Sequence, residues 1–301
     1  MTYDYPQTRG GWEKCPANPL LGSEEQGTCF DVQVKRNVSG YRMYFSWRKN
    51  HSIAVTESPD GIRWGDIRVV LPPDPATGWE DKVNRSCVVD DGDGRMLMWY
   101  TGQARKRSLI GLAESTDGGN TFHRTGIEPV MIPEFPWERD SVMNPFVLKD
   151  NGIYRMWYAA GETYEPNALG YAESPDGVNW KKSRINPIFC AGTEPYDAAR
   201  VGGCEVLKRP DGSYIMFYIG YEDIHTARIC AAVSPDGIRQ WRRLEANPLV
   251  SPGRDCWDGD ACYKPSVVFE PDNSRWRLWY NGRLKRAEYV GMAEHRGAEL
   301  E

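Results

Sequence analysis

The amino-acid sequence predicts an all-β chain that forms a single five-bladed β-propeller. Two short patterns recur about every 60 residues along the 301 positions, and such a period is typical of propeller blades and similar arrays. The first pattern is a tight turn, and the second is an apolar strand that contains an aromatic pair. In addition, one repeat is divided between the two chain ends, which indicates a ring closed by both of them.

The recurring turn has the form Ser-Pro-Asp-Gly and leads to an aromatic residue. The clearest copy is Ser174-Pro175-Asp176-Gly177, followed by Trp180, and near-copies begin at Ser58, Ser115 and Ser234. Glycine takes a positive φ without steric cost, and Asp accepts hydrogen bonds from the backbone that follows it. Asp-Gly between two apolar runs is typical of a β-hairpin. Each copy therefore predicts strand, turn, strand.

The second pattern is an apolar and aromatic segment that precedes each turn. Aromatic residues in short apolar runs, bounded by Gly or Pro, are typical of β-strands. We interpret each copy as the second strand of one blade. The five copies are Met43-Tyr44-Phe45, Met98-Trp99-Tyr100, Met156-Trp157-Tyr158, Met216-Phe217-Tyr218 and Leu278-Trp279-Tyr280.

The N-terminal segment supplies the piece that the last repeat lacks. Trp12 stands six residues before Asn18-Pro19, as Trp180 stands before Asn186-Pro187. We therefore expect this segment to be the outer fourth strand of a last blade whose inner strands come from residues 263–294. Such closure pairs both chain ends and leaves no long free edge. It predicts one propeller domain over residues 1–301.

Composition limits the classes of function. A net charge of −5 and a pI near 5.6 argue against a general nucleic-acid partner. No apolar run approaches the roughly 20 residues of a membrane helix, and residues 1–10 lack the apolar region of a signal peptide. The 8 cysteines contain no Cys-x-x-Cys pair, so we expect reduced cysteines in a cytoplasmic protein that has no membrane partner. The oligomeric state stays open, a homo-oligomer included.

Candidate functional residues lie where the repeats differ. The innermost strands of a propeller line its central channel, and we assign them to segments 29–34, 85–89, 144–148, 203–207 and 264–268. A residue that only supports the fold would be the same in every blade, so the residues that vary at the starts of these strands are the better candidates for chemistry. They are Asp31, Arg85, Asp140, Asn144, Arg200, Glu205 and Lys264.

An aromatic residue followed by an acid recurs in the loop before four of the inner strands. These pairs allow a structural interpretation, in which the ring packs between blades and the acid caps a turn. They also allow a functional one, in which the tryptophans offer stacking faces to a sugar. The pairs are Trp79-Glu80, Trp137-Glu138, Tyr196-Asp197 and Trp257-Asp258.

Two acids on the inner strands suggest hydrolysis of a glycosidic bond. Asp31 and Glu205 stand near the starts of the first and fourth inner strands. A carboxylate in an apolar channel is costly unless it is paired or has a task. Glycoside cleavage needs two carboxyl groups across the bond, of which one protonates the leaving oxygen and the other attacks or activates water. For each acid, a hydrogen bond to backbone or to an arginine is the structural alternative.

The repeated Ser-Pro-Asp-Gly turns, the Met-Trp-Tyr strands and the divided last blade resemble the five-bladed propeller superfamily of glycosidases. It includes the arabinanase/xylosidase family 43, the invertase/levansucrase families and the mannoside phosphorylase family 130. Members typically place an Asp on the first inner strand, which Asp31 matches. The arabinanase and invertase branches carry further acids on the second and third inner strands, where this sequence has Arg85-Ser86 and Asn144-Pro145.

Together, the residues and the resemblance imply a glycoside hydrolase that acts on short oligosaccharides or glycosides. Asp31 would be base or nucleophile, Glu205 the proton donor, and Asp140 an auxiliary acid. No cofactor and no metal is expected. The residues expected to bind the substrate are Arg85, Arg139, Asn144, Arg200, Lys264, Trp79, Trp137 and Trp257.

Several alternatives stay open. An arginine cluster at the channel mouth would bind inorganic phosphate for phosphorolysis, or an acidic sugar. A non-catalytic sugar-binding propeller would use the same channel. The segment 115–122 also fits the Asp-box of sialidases, with Arg85, Arg139 and Arg200 as the arginine triad. Finally, His51 and His225 are candidates for a channel metal, although no metal-ligand spacing accompanies them.

Overall fold

The computed structural model describes residues 3–300 and confirms the predicted fold class, an all-β five-bladed propeller. Each blade is an antiparallel sheet of four strands, ordered from the channel outwards. Strands of the first two blades are β2 (Cys29–Asn37), β3 (Gly40–Trp47), β4 (Ser52–Ser58), β5 (Arg68–Leu71), and then β6 (Lys82–Gly92), β7 (Arg95–Ala104), β8 (Arg107–Ser115) and β9 (His123–Arg124).

The third and fourth blades repeat this order. Their strands are β10 (Ser141–Asp150), β11 (Ile153–Glu162), β12 (Glu165–Ser174), β13 (Lys181–Lys182), and then β14 (Arg200–Lys208), β15 (Tyr214–Tyr221), β16 (Ala227–Ser234) and β17 (Arg242–Arg243).

The fifth blade combines the two ends of the chain. From the channel outwards it contains β18 (Ala261–Glu270), β19 (Arg275–Leu284), β20 (Ala287–Arg296) and β1 (Trp12–Lys14). In the antiparallel pair of β1 with β20, Trp12 lies opposite His295 and Lys14 opposite Ala293. Short 3-10 helices lie in the connections, at Arg48–Asn50, Pro75–Thr77, Pro136–Glu138, Pro195–Asp197 and Pro271–Asn273. Within residues 3–300, no helix is long and apolar enough to span a membrane.

The recurring turns join neighbouring blades. Within the turn after β12, Ser174 Oγ accepts a hydrogen bond from Gly177 N at 2.9 Å, and Asp176 Oδ1 accepts bonds from the two amides that follow the glycine. The carbonyl of Gly177 then accepts the indole N–H of Trp99, on the preceding blade, at 2.9 Å. In the same way, the indole N–H of Trp157 donates to the carbonyl of Gly237 at 2.8 Å, and that of Trp279 donates to the carbonyl of Gly61 at 3.0 Å. The repeated sequence therefore serves contact between blades.

The acid of each repeated loop lies in a buried ion pair. Glu80 accepts a hydrogen bond from the hydroxyl of Tyr100, on the second strand of its blade, at 2.7 Å. The same carboxylate pairs with Arg124, on the fourth strand. Glu138, Asp197 and Asp258 repeat this arrangement. Their tyrosine and cation partners are Tyr158 with Lys182, Tyr218 with Arg243, and Tyr280 with Lys14. Each arrangement ties an inner loop to the outer edge of its sheet.

Candidate active site

A β-bulge interrupts each innermost strand at the same place in the blade. In four blades, the bulge carries a polar residue in the left-handed region of φ, a conformation that costs an L-residue roughly 1–2 kcal/mol. The four are Asp31 (+54°), Arg85 (+55°), Asn144 (+52°) and Lys264 (+51°), and Gly203 occupies the bulge of the fourth blade. Such strain clusters at functional sites, so this ring of residues marks the candidate site.

The bulges are fixed by side chains of the neighbouring blades. The amide of Asp31 donates to Oδ1 of Asn281 at 2.8 Å, and the amide of Arg85 donates to Oγ of Ser46 at 3.0 Å. In the same way, the amide of Asn144 donates to Thr101 Oγ1 at 3.1 Å. Because these bonds come from rigid strands, they hold the bulge residues in place.

A cavity of about 360 Å³ opens at this end of the channel, and all five blades contribute to its wall. Of the residues that the sequence predicted, Asp31, Arg85 and Asn144 line it. Asn84 and Asn144 are buried there, and the Oδ1 atom of each has no hydrogen-bond partner among the described residues. Unpaired buried acceptors are uncommon, so both amides are suited to accept hydrogen bonds from a ligand.

Asp31 is the predicted acid that the structure places in the cavity, where it is 4% exposed. Its Oδ2 accepts a hydrogen bond from Ser46 Oγ at 3.4 Å and lies 3.6 Å from Nε of Arg85. Burial raises the pKa of the Asp31 carboxyl, while the charges of Arg85 and Lys264 oppose the rise. Asp31 therefore has a basic oxygen at the cavity surface.

Glu288 is a second carboxyl in the same cavity, and it is not among the residues predicted from the sequence. It lies on β20, is 8% exposed, and its Oε2 accepts a hydrogen bond from Arg48 at 3.1 Å. Burial raises the pKa of Glu288, Arg48 and the hydroxyl of Tyr263 lower it, and the charge of Asp31 raises it further. The negative charge of Asp31 therefore favours the protonated form of Glu288.

A variation between blades would have revealed Glu288. At the position equivalent to Glu288, the second blade has Ser108 and the fourth has Ala227. Variation between blades thus marks site residues at the starts of the third strands as well as at the starts of the innermost strands. His51, at the end of the β3–β4 connection, lines the cavity as well, whereas His225 does not.

Glu205 lies deeper in the channel and does not line the cavity. It is 7% exposed, and its Oε1 accepts a hydrogen bond from Val267 N, on the next blade, at 3.0 Å. Gln33 and Ser266, at equivalent positions, likewise accept from amides of their neighbouring blades, at 2.6 and 2.9 Å. Burial raises the pKa of Glu205 to about 7. Its surroundings are those of a contact between blades.

The remaining predicted site residues also lie away from the cavity lining. Lys264 is buried in its bulge, where its charge lowers the pKa of both Asp31 and Glu205. Asp140 is exposed, Arg139 is exposed and pairs with Glu162, and Arg200 is half-buried opposite Tyr221. The cavity therefore gathers Asp31, Arg85 and Asn144 but not these four.

The predicted stacking tryptophans pack inside their own blades. Trp79 stacks on Tyr100 with ring centroids 6.0 Å apart, and Trp137 and Trp257 contact Tyr158 and Tyr280 at 5.8 and 5.6 Å. Their indoles cover glycines of the neighbouring strands: a Cβ at Gly102, Gly170 or Gly282 would meet an indole at 2.3, 2.7 or 2.1 Å. Trp47 lines the cavity instead. Within residues 3–300, no three His, Cys, Asp or Glu residues form a group that could hold a metal ion.

Comparisons with known proteins agree with this architecture. Residues 39–187 match the model of the glycosyl hydrolases family 32 N-terminal domain. The chain is 32% identical over 261 residues to the uncharacterized protein MT1551 of Mycobacterium tuberculosis (strain CDC 1551 / Oshkosh), covering 79% of this chain and 83% of that protein.

Two further relatives connect the chain to glycoside-cleaving enzymes. It is 34% identical over 146 residues to a 1,2-beta-oligomannan phosphorylase of Thermoanaerobacter sp. (strain X514), covering 44% of this chain and 47% of that protein. A solved structure from a study of glycoside hydrolases in the GH130 family of mannoside phosphorylases aligns with a TM-score of 0.73 at 16% identity, over 100% of this chain and 97% of the other. The chain belongs to the five-bladed β-propeller superfamily of glycoside hydrolases and phosphorylases.

Proposed function

We propose that the protein is a glycoside hydrolase that acts on short oligosaccharides or glycosides in the central cavity. The observation that carries this proposal is the pair of buried carboxyls, Asp31 and Glu288, that line one cavity with raised pKa values. Perturbed carboxyls in a cleft are typical of acid–base catalysis. A volume of about 360 Å³ is in the range of small-ligand pockets.

In this proposal the two carboxyls divide the chemistry between them. Glu288, in its protonated form, gives its proton to the glycosidic oxygen of the leaving group while the bond to the anomeric carbon breaks. Asp31 acts as the base that takes a proton from the attacking water, or as the nucleophile that a water later displaces. In either case water adds across the bond, and the free sugar and a protonated leaving group result.

The other cavity residues would bind sugar hydroxyls. The Oδ1 atoms of Asn84 and Asn144, which have no partner among the described residues, accept hydrogen bonds from sugar hydroxyl groups. Arg85 donates hydrogen bonds to the oxygens of the sugar hydroxyls. Arg85 is held for this task, because it also donates to the carbonyl of Tyr164 at 3.2 Å and lies next to Asp31. Glu205 and Asp140 have no part in this mechanism, since neither lines the cavity.

Phosphorolysis is the second candidate function, and two observations favour it. Arg48, Lys82, Arg85 and Arg283 line the cavity together with His51, and guanidinium groups bind phosphate in bidentate geometry. In addition, the chain is similar over part of its length to a 1,2-beta-oligomannan phosphorylase. In this reaction, phosphate would take the place of water as the attacking group.

A panel of 4-nitrophenyl glycosides and β-1,2-linked mannobiose, incubated with and without inorganic phosphate, tests both functions. Hydrolysis gives free sugar without phosphate, whereas phosphorolysis gives a sugar phosphate and depends on the added phosphate. The variant Asp31→Asn is the matched control, and product formation that survives in it contradicts the proposed mechanism. Sugar binding in a calorimeter without any product identifies a non-catalytic binding propeller.

A further inference from the structure

The cavity has two chemically different sides. Blades one and two contribute the cations Arg48, Lys82 and Arg85, and blade five adds the paired residues Arg283 and Glu288. A small hydrophobic cluster from blades four and five, separate from the larger cores of the blades, faces the same cavity. We call this cluster the apolar wall, and it consists of Ile219, Tyr221, Ala227, Ala261 and Tyr263.

The fourth blade adds to the apolar wall at a position that is polar in three of the other blades. In each blade, one residue of the second strand pairs with the position just before the bulge of the innermost strand. It is Ser46, Thr101 and Asn281 in blades one, two and five, Ala159 in blade three and Ile219 in blade four. The bulge itself carries Gly203, which has no side chain to direct into the channel. Apart from the hydroxyls of Tyr221 and Tyr263, this sector of the cavity therefore offers few hydrogen-bonding groups to a sugar.

Ile224 extends the apolar wall to the cavity mouth. It lies in the connection between β15 and β16, lines the cavity, and is 58% exposed. An isoleucine that is exposed at the rim of a ligand cavity gains from contact with an apolar ligand group, because that contact removes both surfaces from water.

From this asymmetry we infer that the cavity accepts glycosides whose leaving group is apolar, an alkyl or aryl aglycone, and that the aglycone lies against the apolar wall and Ile224. The inference rests on the proposed function and names its substrate class. The sugar would bind on the polar side, where Asp31, Arg85 and Asn144 are. The leaving group would then point to the sector that has few polar partners, where an apolar group is desolvated with little loss of hydrogen bonds.

Alkyl glycosides of one sugar and increasing chain length test this inference. Methyl and n-octyl glycosides of glucose and of mannose are compared for binding by calorimetry and for turnover. The octyl glycosides are kept below their critical micelle concentrations. We expect the octyl glycoside of the preferred sugar to have a KM at least about tenfold lower than the methyl glycoside. The variant Ile224→Ser should reduce this advantage by about threefold or more. Ile185→Ser is the matched control, because Ile185 is an exposed isoleucine that does not line the cavity.

The outcomes separate the subsite from the proposed function. Equal KM values for methyl and octyl glycosides, or an advantage that Ile224→Ser leaves unchanged, overturn the apolar subsite while the glycosidase assignment stands. An effect of Ile185→Ser as large as that of Ile224→Ser also overturns it. If the protein neither binds nor turns over any sugar, the 4-nitrophenyl panel included, the proposed function is overturned and the subsite with it.

Discussion

Lys14 donates a hydrogen bond of 2.6 Å from Nζ to Oδ2 of Asp258, and this ion pair joins β1, near the N-terminus, to the loop before β18. The same carboxylate oxygen accepts the hydroxyl of Tyr280 at 3.0 Å. Three other blades have an equivalent pair within one continuous stretch of chain, for example Arg124 with Glu80. In the fifth blade, the cation comes from the opposite end of the sequence.

Replacement of Lys14 should therefore weaken the whole ring. Lys14→Met keeps the apolar stem but leaves the carboxylate of Asp258, which is 1% exposed, without its cation. Removal of one partner of a buried ion pair costs roughly 3–5 kcal/mol. For a chain of this size we expect the melting temperature to fall by about 10 °C, measured by differential scanning calorimetry.

Lys181→Met is the control for this prediction, because Lys181 is an exposed lysine on a short outer strand. It should change the melting temperature by no more than about 1–2 °C. A double variant, Lys14→Met with Asp258→Asn, should recover part of the loss, since it removes the unpaired charge. Equal melting temperatures for Lys14→Met and the unchanged protein would show that this ion pair does not hold the fifth blade together.

The fold was predictable because its repeats depend on local chemistry. The turn at Ser174–Gly177 satisfies its own backbone with the side chains of Ser174 and Asp176, so it can be recognised from its residues alone. The candidate site was partly predictable for a different reason. Asp31, Arg85 and Asn144 occupy the position at which the innermost strands differ, and these residues line the cavity.

The remaining site residues depend on strand register, which the sequence does not display. Glu205 pairs with Phe217 beyond the bulge of β14, whereas Asp31 lies in the bulge of β2. This difference places Glu205 at a contact between blades and Asp31 at the cavity. Glu288 reaches the cavity from a third strand, because β20 brings it beside Arg48 of the first blade. Contacts of this kind join residues about 240 positions apart and follow from ring closure rather than from any local pattern.

Glu288→Gln should abolish most of the catalytic activity. The amide cannot donate a proton to a leaving oxygen, and general acid catalysis contributes typically about 10²–10⁴-fold. We expect kcat to fall by that factor on glycosides with poor leaving groups, and by much less on 4-nitrophenyl glycosides, whose leaving group needs little protonation. Initial rates on both substrate types, over a range of pH, measure the difference.

Glu205→Gln is the matched control for Glu288→Gln. Because Glu205 does not line the cavity, kcat of this variant should stay within about threefold of the unchanged protein. The opposite result, in which Glu205→Gln loses activity and Glu288→Gln keeps it, would return the role of proton donor to Glu205.

Glu205 should instead influence how stability depends on pH. Burial raises the pKa of Glu205 to about 7 in the folded protein, against an ordinary value of 4.5 for a glutamate side chain. The folded state therefore binds this proton more tightly than the unfolded state, so stability that is present below pH 4.5 is lost as the pH rises towards 7. The difference corresponds to roughly 3 kcal/mol at most.

Glu205→Gln removes this pH dependence while Gln keeps an oxygen that can accept the amide of Val267. We expect the variant and the unchanged protein to melt at similar temperatures at pH 4.5, and the variant to melt several degrees higher at pH 8. Asp31 and Glu288 titrate in both proteins, so the difference between the two curves isolates Glu205. Glu24→Gln, at an exposed position, is the control and should leave the curve unchanged. Parallel curves for Glu205→Gln would contradict the raised pKa.

Trp79 should matter mainly for stability, and Trp47 mainly for substrate affinity. Trp79 is buried against Tyr100, and its indole fills the space above Gly102 and Gly111. Trp79→Ala should cost roughly 3–5 kcal/mol of stability and leave KM nearly unchanged in the fraction that stays folded. Trp47 lines the cavity and is partly exposed. Trp47→Ala should raise KM about tenfold through loss of a stacking face, with a smaller fall in the melting temperature than Trp79→Ala, because Trp47 is only partly buried against its core cluster.

Melting curves and KM values for the two variants, on the same glycoside, decide this prediction. The functional interpretation of the repeated loop would be restored if Trp79→Ala raised KM at a temperature where the variant is fully folded. Circular dichroism at that temperature establishes the folded state. Because Trp137 and Trp257 pack on Tyr158 and Tyr280 in the same manner as Trp79 on Tyr100, their alanine variants should follow Trp79. Trp47, which lines the cavity, should alone among these four tryptophans change substrate affinity.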